Sequence, residues 1–262
     1  QIIPNEFIIN KKIFLLYLKF YDKFFDTIKY GEYEIKEKIN LFKITNLISK
    51  PSEFYRELTI IEGWHSYQLE ELIKDKFRIS KKIHYSNILA DTYKYQYHDD
   101  INDIFASIML EKKHFFLKFK DNNLLKKYSI KEIMTIASLV EKEGKDLQDK
   151  RLISSVILNR LNNKMKLEID ASTIFSITKG EYKFNKKLTL DDLKNKDEYN
   201  TYFKKGLPPG PICFVGKETI KIVLEDPKSD YFFYFFNKDI NKHMFSISFK
   251  EHVKKIKKYR NE

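Results

Sequence analysis

The clearest periodic pattern of apolar and polar positions begins at Ser129. Ser129 and Glu132 have the spacing of a capping box, in which each side chain satisfies a backbone N–H at the start of a helix. Apolar residues then recur on one helical face: Ile130, Ile133, Met134, Ala137 and Val140. Gly144 is the expected C-cap, and Asp146 is the expected N-cap of a second apolar-faced helix. Because the connection is so short, the two helices are predicted to pack as a hairpin.

Weaker patterns cover most of the remaining chain. Helical spacing predicts helices over residues 41–49, 64–77, 101–109 and 216–226, a short one after Thr189, and one from Phe249 onwards. Strand-like runs occupy residues 31–35, 58–61 and 231–236, the last with residues 243–248 as a hairpin partner. The aromatic run 231–236 is typical of a strand covered on both faces. Residues 120–127 are expected to be a polar connection, and Gly206–Pro211 a rigid loop.

These elements predict an α+β fold. Strand, helix and strand within residues 1–62 indicate a small α+β module, and residues 63–128 are expected to form a helical connecting region. Residues 129–262 follow as a domain of mixed helices and strands.

Composition narrows the class of protein. The 262 residues are 42% hydrophobic and 15% aromatic, which excludes a disordered chain. The net charge is +12, but only five of the 49 basic residues are arginines: Arg56, Arg78, Arg151, Arg160 and Arg260. Arginine is the residue that phosphate recognition favours, so we expect no nucleic-acid partner. A basic surface also suits anionic lipids or an anionic polymer.

The chain lacks an apolar run long enough to span a membrane. The best candidate, residues 13–25, is interrupted by Lys19, Asp22 and Lys23. The sequence begins at Gln1 without Met, so an upstream anchor is expected to be missing from it. Cys213 is the single cysteine, and the six histidines are scattered, so no metal site and no cofactor are predicted.

The sequence Glu141-Lys142-Glu143 closes the capped helix. The helix macrodipole disfavours negative charge at this end, and together with partial burial it raises a carboxyl pKa. Glu143 could then donate a proton near neutral pH. Glu141 projects from a different side of the helix. A solvated surface turn remains the alternative interpretation of this triplet.

Polar segments downstream have the side chains that a sugar-binding cleft needs. Asn159-Arg160 lies near the end of the second helix, and the segments Asp170–Thr173 and Tyr199–Tyr202 precede the Gly206–Pro211 loop. Their amide and hydroxyl groups suit sugar hydroxyls, and tyrosine rings can stack on sugars. Taken singly, each segment could equally be a cap or a turn.

Together the segments 136–143, 156–161, 170–175, 199–202 and 206–212 resemble the YceG-like family of endolytic murein transglycosylases in order and spacing. The resemblance covers residues 130 to about 250, with weaker matches upstream. It implies that residues 1–62 are a LysM-like module and that residues 129–262 are the catalytic domain. The sequence departs from the family pattern where Ala90 stands for proline, Ala171-Ser172 for Pro-Thr, and Phe214-Val215 for Asn-Pro.

The resemblance also implies a mechanism. Glu143 would act alone as acid and then base on the β-1,4 bond between N-acetylmuramic acid and N-acetylglucosamine, leaving a 1,6-anhydro end without water. Glu141 is the second choice for the catalytic acid. If it is not the acid, it is expected to be a substrate-binding residue. The remaining expected substrate-binding residues are Asn159, Thr173, Tyr199, Asn200, Thr201 and Pro208. Arg160 is expected to be either another cleft residue or a structural ion-pair partner.

Peptidoglycan glycan strands are therefore the expected partner, with peptidoglycan synthases as a further one. The resemblance places the catalytic domain outside the cytoplasmic membrane, tethered by a single N-terminal helix absent from this sequence. Three alternatives stay open: a non-catalytic peptidoglycan-binding protein, a nucleic-acid-binding protein, and a two-carboxylate glycosidase that leaves reducing ends.

Overall fold

The computed structural model describes residues 11–25, 28–29, 31–35 and 40–259. The chain divides into two compact units, the first made of residues 1–58 and 93–104 and the second of residues 59–92 and 105–262. Both helices and small sheets are present, as an α+β fold requires. The predicted domain boundaries after residues 62 and 128 stay predictions.

In its described residues, the first unit contains two complete helices, the start of a third helix and most of a two-stranded sheet. Helix α1 spans Lys11–Phe24 and α2 spans Leu41–Ile48, where the Asn40 side chain accepts from the Lys43 N–H as an N-cap. Strands β1 (Arg56–Thr59) and β2 (Thr92–Tyr95) pair with each other. The predicted helix is confirmed, and the predicted strand begins two residues earlier than expected. The LysM-like character of this region is not confirmed, and its first ten residues lie outside the described ones.

Residues 31–35 were predicted as a strand, and this prediction is wrong. Within the described part of the chain these residues are not in a strand, and side chains of the segment make the contacts that are seen. The Tyr33 hydroxyl donates to the Lys50 carbonyl at 2.8 Å, and Arg56 makes two hydrogen bonds to the Glu32 carboxylate at 2.6 and 2.8 Å. The alternation of polar and apolar residues fits a strand, but it does not indicate whether a neighbouring strand is available for pairing.

The second unit is mainly helical. Its elements in chain order are α3 (Ser66–Phe77), α4 (Ile101–Leu117, whose first four residues belong to the first unit), α5 (Asn123–Lys127), α6 (Ile130–Glu143), α7 (Leu147–Asn162), α8 (Asp170–Thr178), a 3₁₀ turn (Asp192–Lys194), α9 (Lys217–Leu224), β3 (Phe233–Asn237), β4 (Lys242–Ser246) and α10 (Phe249–Tyr259). The polar connection predicted at residues 120–127 in fact contains α5, because the Asn122 side chain caps its first turn. Within the described residues, no helix combines the length and apolar character that crossing a membrane requires.

Helix α6 forms the centre of the core. Both halves of the predicted capping box are present, and the Asp146 cap of α7 is also confirmed. Every residue from 133 to 140 is buried, so α6 is covered on all sides and not on one stripe as predicted. Its neighbours are α5, α7, α8 and α9, and the α6–α7 hairpin is confirmed. The packing fixes where the last residue of α6 lies.

Strands β3 and β4 form the predicted antiparallel hairpin, with Phe233 opposite Ser246. Of the residues in β3, Phe235 and Asn237 are buried and the others are partly exposed. The prediction that both faces are covered is therefore wrong. One face packs near α10, where the Phe233 and His252 rings lie 5.4 Å apart. The other face carries Tyr234.

Candidate active site

Glu143 is the last residue of α6. The Gly144 N–H closes this helix on the Val140 carbonyl at 2.8 Å, and its backbone is extended, not left-handed as a typical glycine C-cap would be. The Glu143 side chain is partly buried. Because α6 is enclosed up to Val140, the carboxyl group is presented from a rigid support.

Two further elements of the second unit, α8 and β3, place groups around the Glu143 carboxyl. The Tyr234 hydroxyl of β3 donates to Oε2 of Glu143 at 3.3 Å. The backbone N–H of Ala171, in the first turn of α8, also donates to this carboxylate. Asp170 adds a negative charge from the start of α8, and Lys142 adds a positive one from α6 itself. The site is thus assembled from α6, α8 and β3.

This environment raises the pKa of Glu143 from 4.5 to about 7. Burial is the main cause, and the negative charge of Asp170 is the second. The hydrogen bonds from Tyr234 and Ala171, and then the charge of Lys142, act in the opposite direction. A carboxyl group with this pKa holds its proton through much of the neutral range, which is what a general acid requires.

Asp170 brings a second carboxylate into the site; the sequence placed its segment in the expected cleft but gave this carboxyl group no role. The Tyr202 hydroxyl donates to Oδ1 of Asp170 at 2.7 Å. Burial and this hydrogen bond, together with nearby acids, raise the pKa of Tyr202, so its hydroxyl stays protonated. Asp170 is exposed, whereas Tyr202 is partly buried.

Glu141 lies apart from these groups. Its carboxylate is buried, and Oε1 accepts from the Lys150 ammonium, which also donates to the Thr219 hydroxyl at 2.9 Å. Its Oε2 is buried and has no hydrogen-bond partner among the residues that the structure describes. The ion pair connects α6, α7 and α9. A role of Glu141 in substrate binding stays a prediction, and the structure gives this residue an internal partner.

Three of the expected substrate-binding residues form one buried network. The Thr173 hydroxyl donates to Oδ1 of Asn200 at 2.8 Å, and the Asn200 amide donates to the carbonyls of Leu193 and Asn195. The Thr201 hydroxyl accepts from the Ile169 N–H at 2.9 Å. These bonds attach residues 200–202 to the start of α8, and so they hold Tyr202 beside Asp170.

Asn159 and Arg160 hold the chain that leads into β3. The Asn159 amide donates to the carbonyls of Ser229 and Tyr231 at 2.7 and 2.9 Å. Arg160 donates to the Phe232 carbonyl at 2.6 Å and pairs with Glu168 at 3.1 Å, so the structural ion-pair role is confirmed. The two residues thereby support the strand that carries Tyr234.

The last two expected substrate-binding residues lie further along the chain. Tyr199 is partly buried, with its ring 4.8 Å from the Phe175 ring and the Lys179 ammonium 5.4 Å from its centroid. Pro208 is buried in the Gly206–Pro211 loop, which has neither helix nor strand, as predicted. Among the described residues, no group of three or more His, Cys, Asp or Glu side chains is placed to hold a metal ion.

Sequence reasoning missed Tyr234, Ala171 and the pairing of Asp170 with Tyr202. A signal for Tyr234 existed, since a tyrosine hydroxyl in a buried aromatic strand needs a polar partner. The pattern could not say which one, because Glu143 is 91 residues away along the chain. The N–H of Ala171 is a backbone group and leaves no side-chain signal.

Comparison with known proteins agrees with this architecture. The family model described as the YceG-like family matches residues 1–258, so the chain belongs to that family. A Bacillus subtilis protein named endolytic murein transglycosylase is 26% identical over 97% of this chain and 79% of its own length. A protein of the same name from Streptococcus pneumoniae is 31% identical over 51% of this chain, which is 24% of its own length. The crystal structure of a yceG-like protein from Listeria monocytogenes has a TM-score of 0.64 and 26% identity, covering 94% of this chain and 90% of that one.

Replacing Ala171 with proline should raise the pKa of Glu143 further. Proline has no N–H, so the carboxylate loses a donor that favours its charged form. Proline is also the residue at this position in the family pattern described above. If Glu143 acts as the acid, the rate falls as it loses its proton, and the alkaline limb of the pH–rate profile should move up by as much as about one unit.

Ala171→Ser is the matched control, because serine keeps the N–H and should leave the alkaline limb unchanged. The measurement is the initial rate of glycan cleavage between pH 5 and 9 for the three proteins. An unchanged or downward-shifted limb in Ala171→Pro would show that this N–H does not set the proton affinity of the acid.

Proposed function

We propose that this protein is an endolytic murein transglycosylase that cuts peptidoglycan glycan strands within the chain. The observation that carries the proposal is the Glu143 carboxyl, whose pKa is raised to about 7 at the end of a rigid core helix. Membership of the YceG-like family and the names of the relatives support the substrate and the enzyme class.

In the proposed mechanism, neutral Glu143 donates its proton to the glycosidic oxygen between N-acetylmuramic acid and N-acetylglucosamine. The C1–O4 bond breaks, its electron pair goes to the leaving oxygen, and positive charge develops at C1. The Glu143 carboxylate then removes the proton of the muramyl C6 hydroxyl. The C6 oxygen bonds to C1 and closes a 1,6-anhydro ring, so the acid is regenerated and water is not consumed.

The Tyr234 hydroxyl and the Ala171 N–H support the second step. Both donate to the Glu143 carboxylate, so they stabilise the charged form that exists after the first proton transfer. Burial favours the neutral form that begins the cycle. Because these effects oppose each other, the Glu143 carboxyl group can be neutral or charged near neutral pH.

Two further parts of the proposal concern where the enzyme acts. Murein lies outside the cytoplasmic membrane, so the catalytic residues act on the extracytoplasmic side, and a single N-terminal membrane helix upstream of this sequence would hold them there. Cutting nascent strands would end their elongation, with peptidoglycan synthases as neighbours. In this proposal, Tyr199 and the Gly206–Pro211 loop contact the glycan strand.

Digestion of uncrosslinked glycan strands in ¹⁸O-labelled water tests the chemistry. Mass spectrometry of the products should find 1,6-anhydro-muramyl ends without the label. A glycan hydrolase treated in the same way serves as the control and should give labelled reducing ends. Labelled reducing ends from this protein would make it a hydrolase, and intact strands that remain bound to it would make it a non-catalytic binding protein.

A further inference from the structure

Among the described residues, Asp170 is the acidic group from another element of the second unit that raises the pKa of Glu143. It is the first residue of α8, and the N–H of the next residue, Ala171, donates to the Glu143 carboxylate. The peptide group that links Asp170 to Ala171 therefore contacts the Glu143 carboxylate directly. The two carboxyl groups share one site.

The Glu143 and Asp170 carboxyl groups have different environments, as two acids with different roles would. Glu143 is partly buried, and burial favours its neutral form. Asp170 is exposed to solvent and accepts a hydrogen bond from the Tyr202 hydroxyl at 2.7 Å. A partly buried acid beside an exposed, hydrogen-bonded carboxyl group is an arrangement in which the two groups can take different roles in one reaction.

The position of Asp170 is fixed by a dedicated set of contacts. Tyr202 is held by the buried Thr173, Asn200 and Thr201 network, and the Thr201 hydroxyl is bonded to the Ile169 N–H, one residue before Asp170. A surface carboxylate that only caps a helix would not need a buried polar network to present its partner. This construction indicates that the orientation of the Asp170 carboxylate matters for the reaction.

We propose that Asp170 is a second catalytic residue, whose carboxylate stabilises the positive charge that develops at the anomeric carbon while Glu143 protonates the leaving oxygen. This inference rests on the proposed transglycosylase function. Asp170 forms no bond with the sugar, and no proton or electron pair passes to it. It lowers the energy of a charge that is greatest in the transition state, so its effect falls mainly on kcat.

The same charge affects the acid itself. The groups that face Glu143 are Asp170 from α8, Tyr234 from β3 and the neighbouring Lys142 of α6, and Tyr234 in turn faces Arg160 and Tyr202. Of these, Asp170 is the negative one that opposes ionisation of Glu143. Removing its charge therefore lowers the pKa of Glu143 and moves the alkaline limb of the pH–rate profile to lower pH.

The test compares Asp170→Asn, Asp170→Glu and Tyr202→Phe with the unmodified protein on soluble glycan strands. Asp170→Asn should lower kcat by about tenfold to a hundredfold, change KM little and shift the alkaline limb downward. Asp170→Glu restores the charge and should return the limb towards its original position. Tyr202→Phe keeps both carboxylates and should lower kcat without the downward shift.

Glu225→Gln is the matched control, since this exposed acid pairs with Arg151, is not among the groups that shift the pKa of Glu143, and should leave kcat and the pH profile unchanged. If Asp170→Asn does not fold, as judged by thermal unfolding, Tyr202→Phe decides the matter, and an unchanged kcat in that variant overturns the proposal. Unchanged kcat and profile in folded Asp170→Asn overturn it as well. Failure of the transglycosylase function itself would be recognised separately, because the unmodified protein would then yield no anhydro ends.

Discussion

Glycan cleavage should fall by about a thousandfold or more when Glu143 is replaced by glutamine. Glutamine keeps the shape of the side chain and can still accept from the Tyr234 hydroxyl, but its amide has no acidic proton that can be transferred to a leaving oxygen. The alternative acid, Glu141, has the Lys150 ammonium as its partner inside the core. The measurement is the rate of appearance of anhydro-muramyl ends, with binding of intact strands measured in parallel.

The stability of Glu143→Gln separates loss of chemistry from loss of fold. The pKa of Glu143 is about 7 in the folded protein and 4.5 in the reference state, so the folded protein binds this proton more tightly. Its contribution to stability is fully present below pH 4.5 and is lost as the pH rises to about 7. Relative to the variant, the unmodified protein should therefore lose up to about 3 kcal/mol across this range.

Glu143→Gln should thus be inactive and, above pH 7, at least as stable as the parent protein. Chemical unfolding at pH 5 and pH 8 measures the difference. Full activity in Glu143→Gln, combined with loss of activity in a folded Glu141→Gln, would transfer the role of the acid to Glu141. A variant that loses both activity and stability at pH 8 would mean that burial does not govern the proton affinity of Glu143.

Local sequence signals predicted the support of the site well. The Ser129–Glu132 capping box and the Asp146 cap act within one helical turn, so the two residue types and their spacing suffice to locate α6 and α7. The short connection between α6 and α7 then predicted that the two helices pack as a hairpin. Glu143 could be placed at the end of α6 before any tertiary contact was known.

The groups that tune Glu143 could not be predicted in the same way. Tyr234 reaches it across 91 residues, and the Asp170–Tyr202 pair spans 32. Such contacts depend on how α6, α8 and β3 pack, and no periodicity records that. Burial, one of the two expected causes of the raised pKa, is the main one, whereas the second cause is the charge of Asp170, which was not expected.

The surroundings of the polar residues expected in the cleft also could not be predicted from the sequence. Thr173, Asn200 and Thr201 carry groups that suit sugar hydroxyls, yet each is buried and satisfied by protein partners. Side-chain chemistry indicates what a residue can bind, whereas burial decides which partner is available. Their contribution to the site is through the position of Tyr202.

The second large effect is expected at the Glu141–Lys150 pair. Lys150→Met leaves a carboxylate whose side chain is only 5% exposed without its cation, which should cost about 3 kcal/mol of stability. Glu141→Leu leaves Lys150, which is 15% exposed and keeps Thr219 as a partner, so its cost should be smaller. The double variant replaces both charges with apolar groups of similar size, and we expect it to recover most of the loss.

Urea unfolding of the four proteins measures the coupling between Glu141 and Lys150 directly. The same set tests the expected substrate contact through Glu141. If the pair is structural, the folded double variant should keep kcat and KM within about threefold of the parent, because Glu143 retains its burial, Tyr234 and Asp170. A raised KM with an unchanged kcat would instead indicate that Glu141 binds the glycan. A double variant no more stable than Lys150→Met would show that the ion pair itself, and not the filling of this part of the core, holds α6 against α7 and α9.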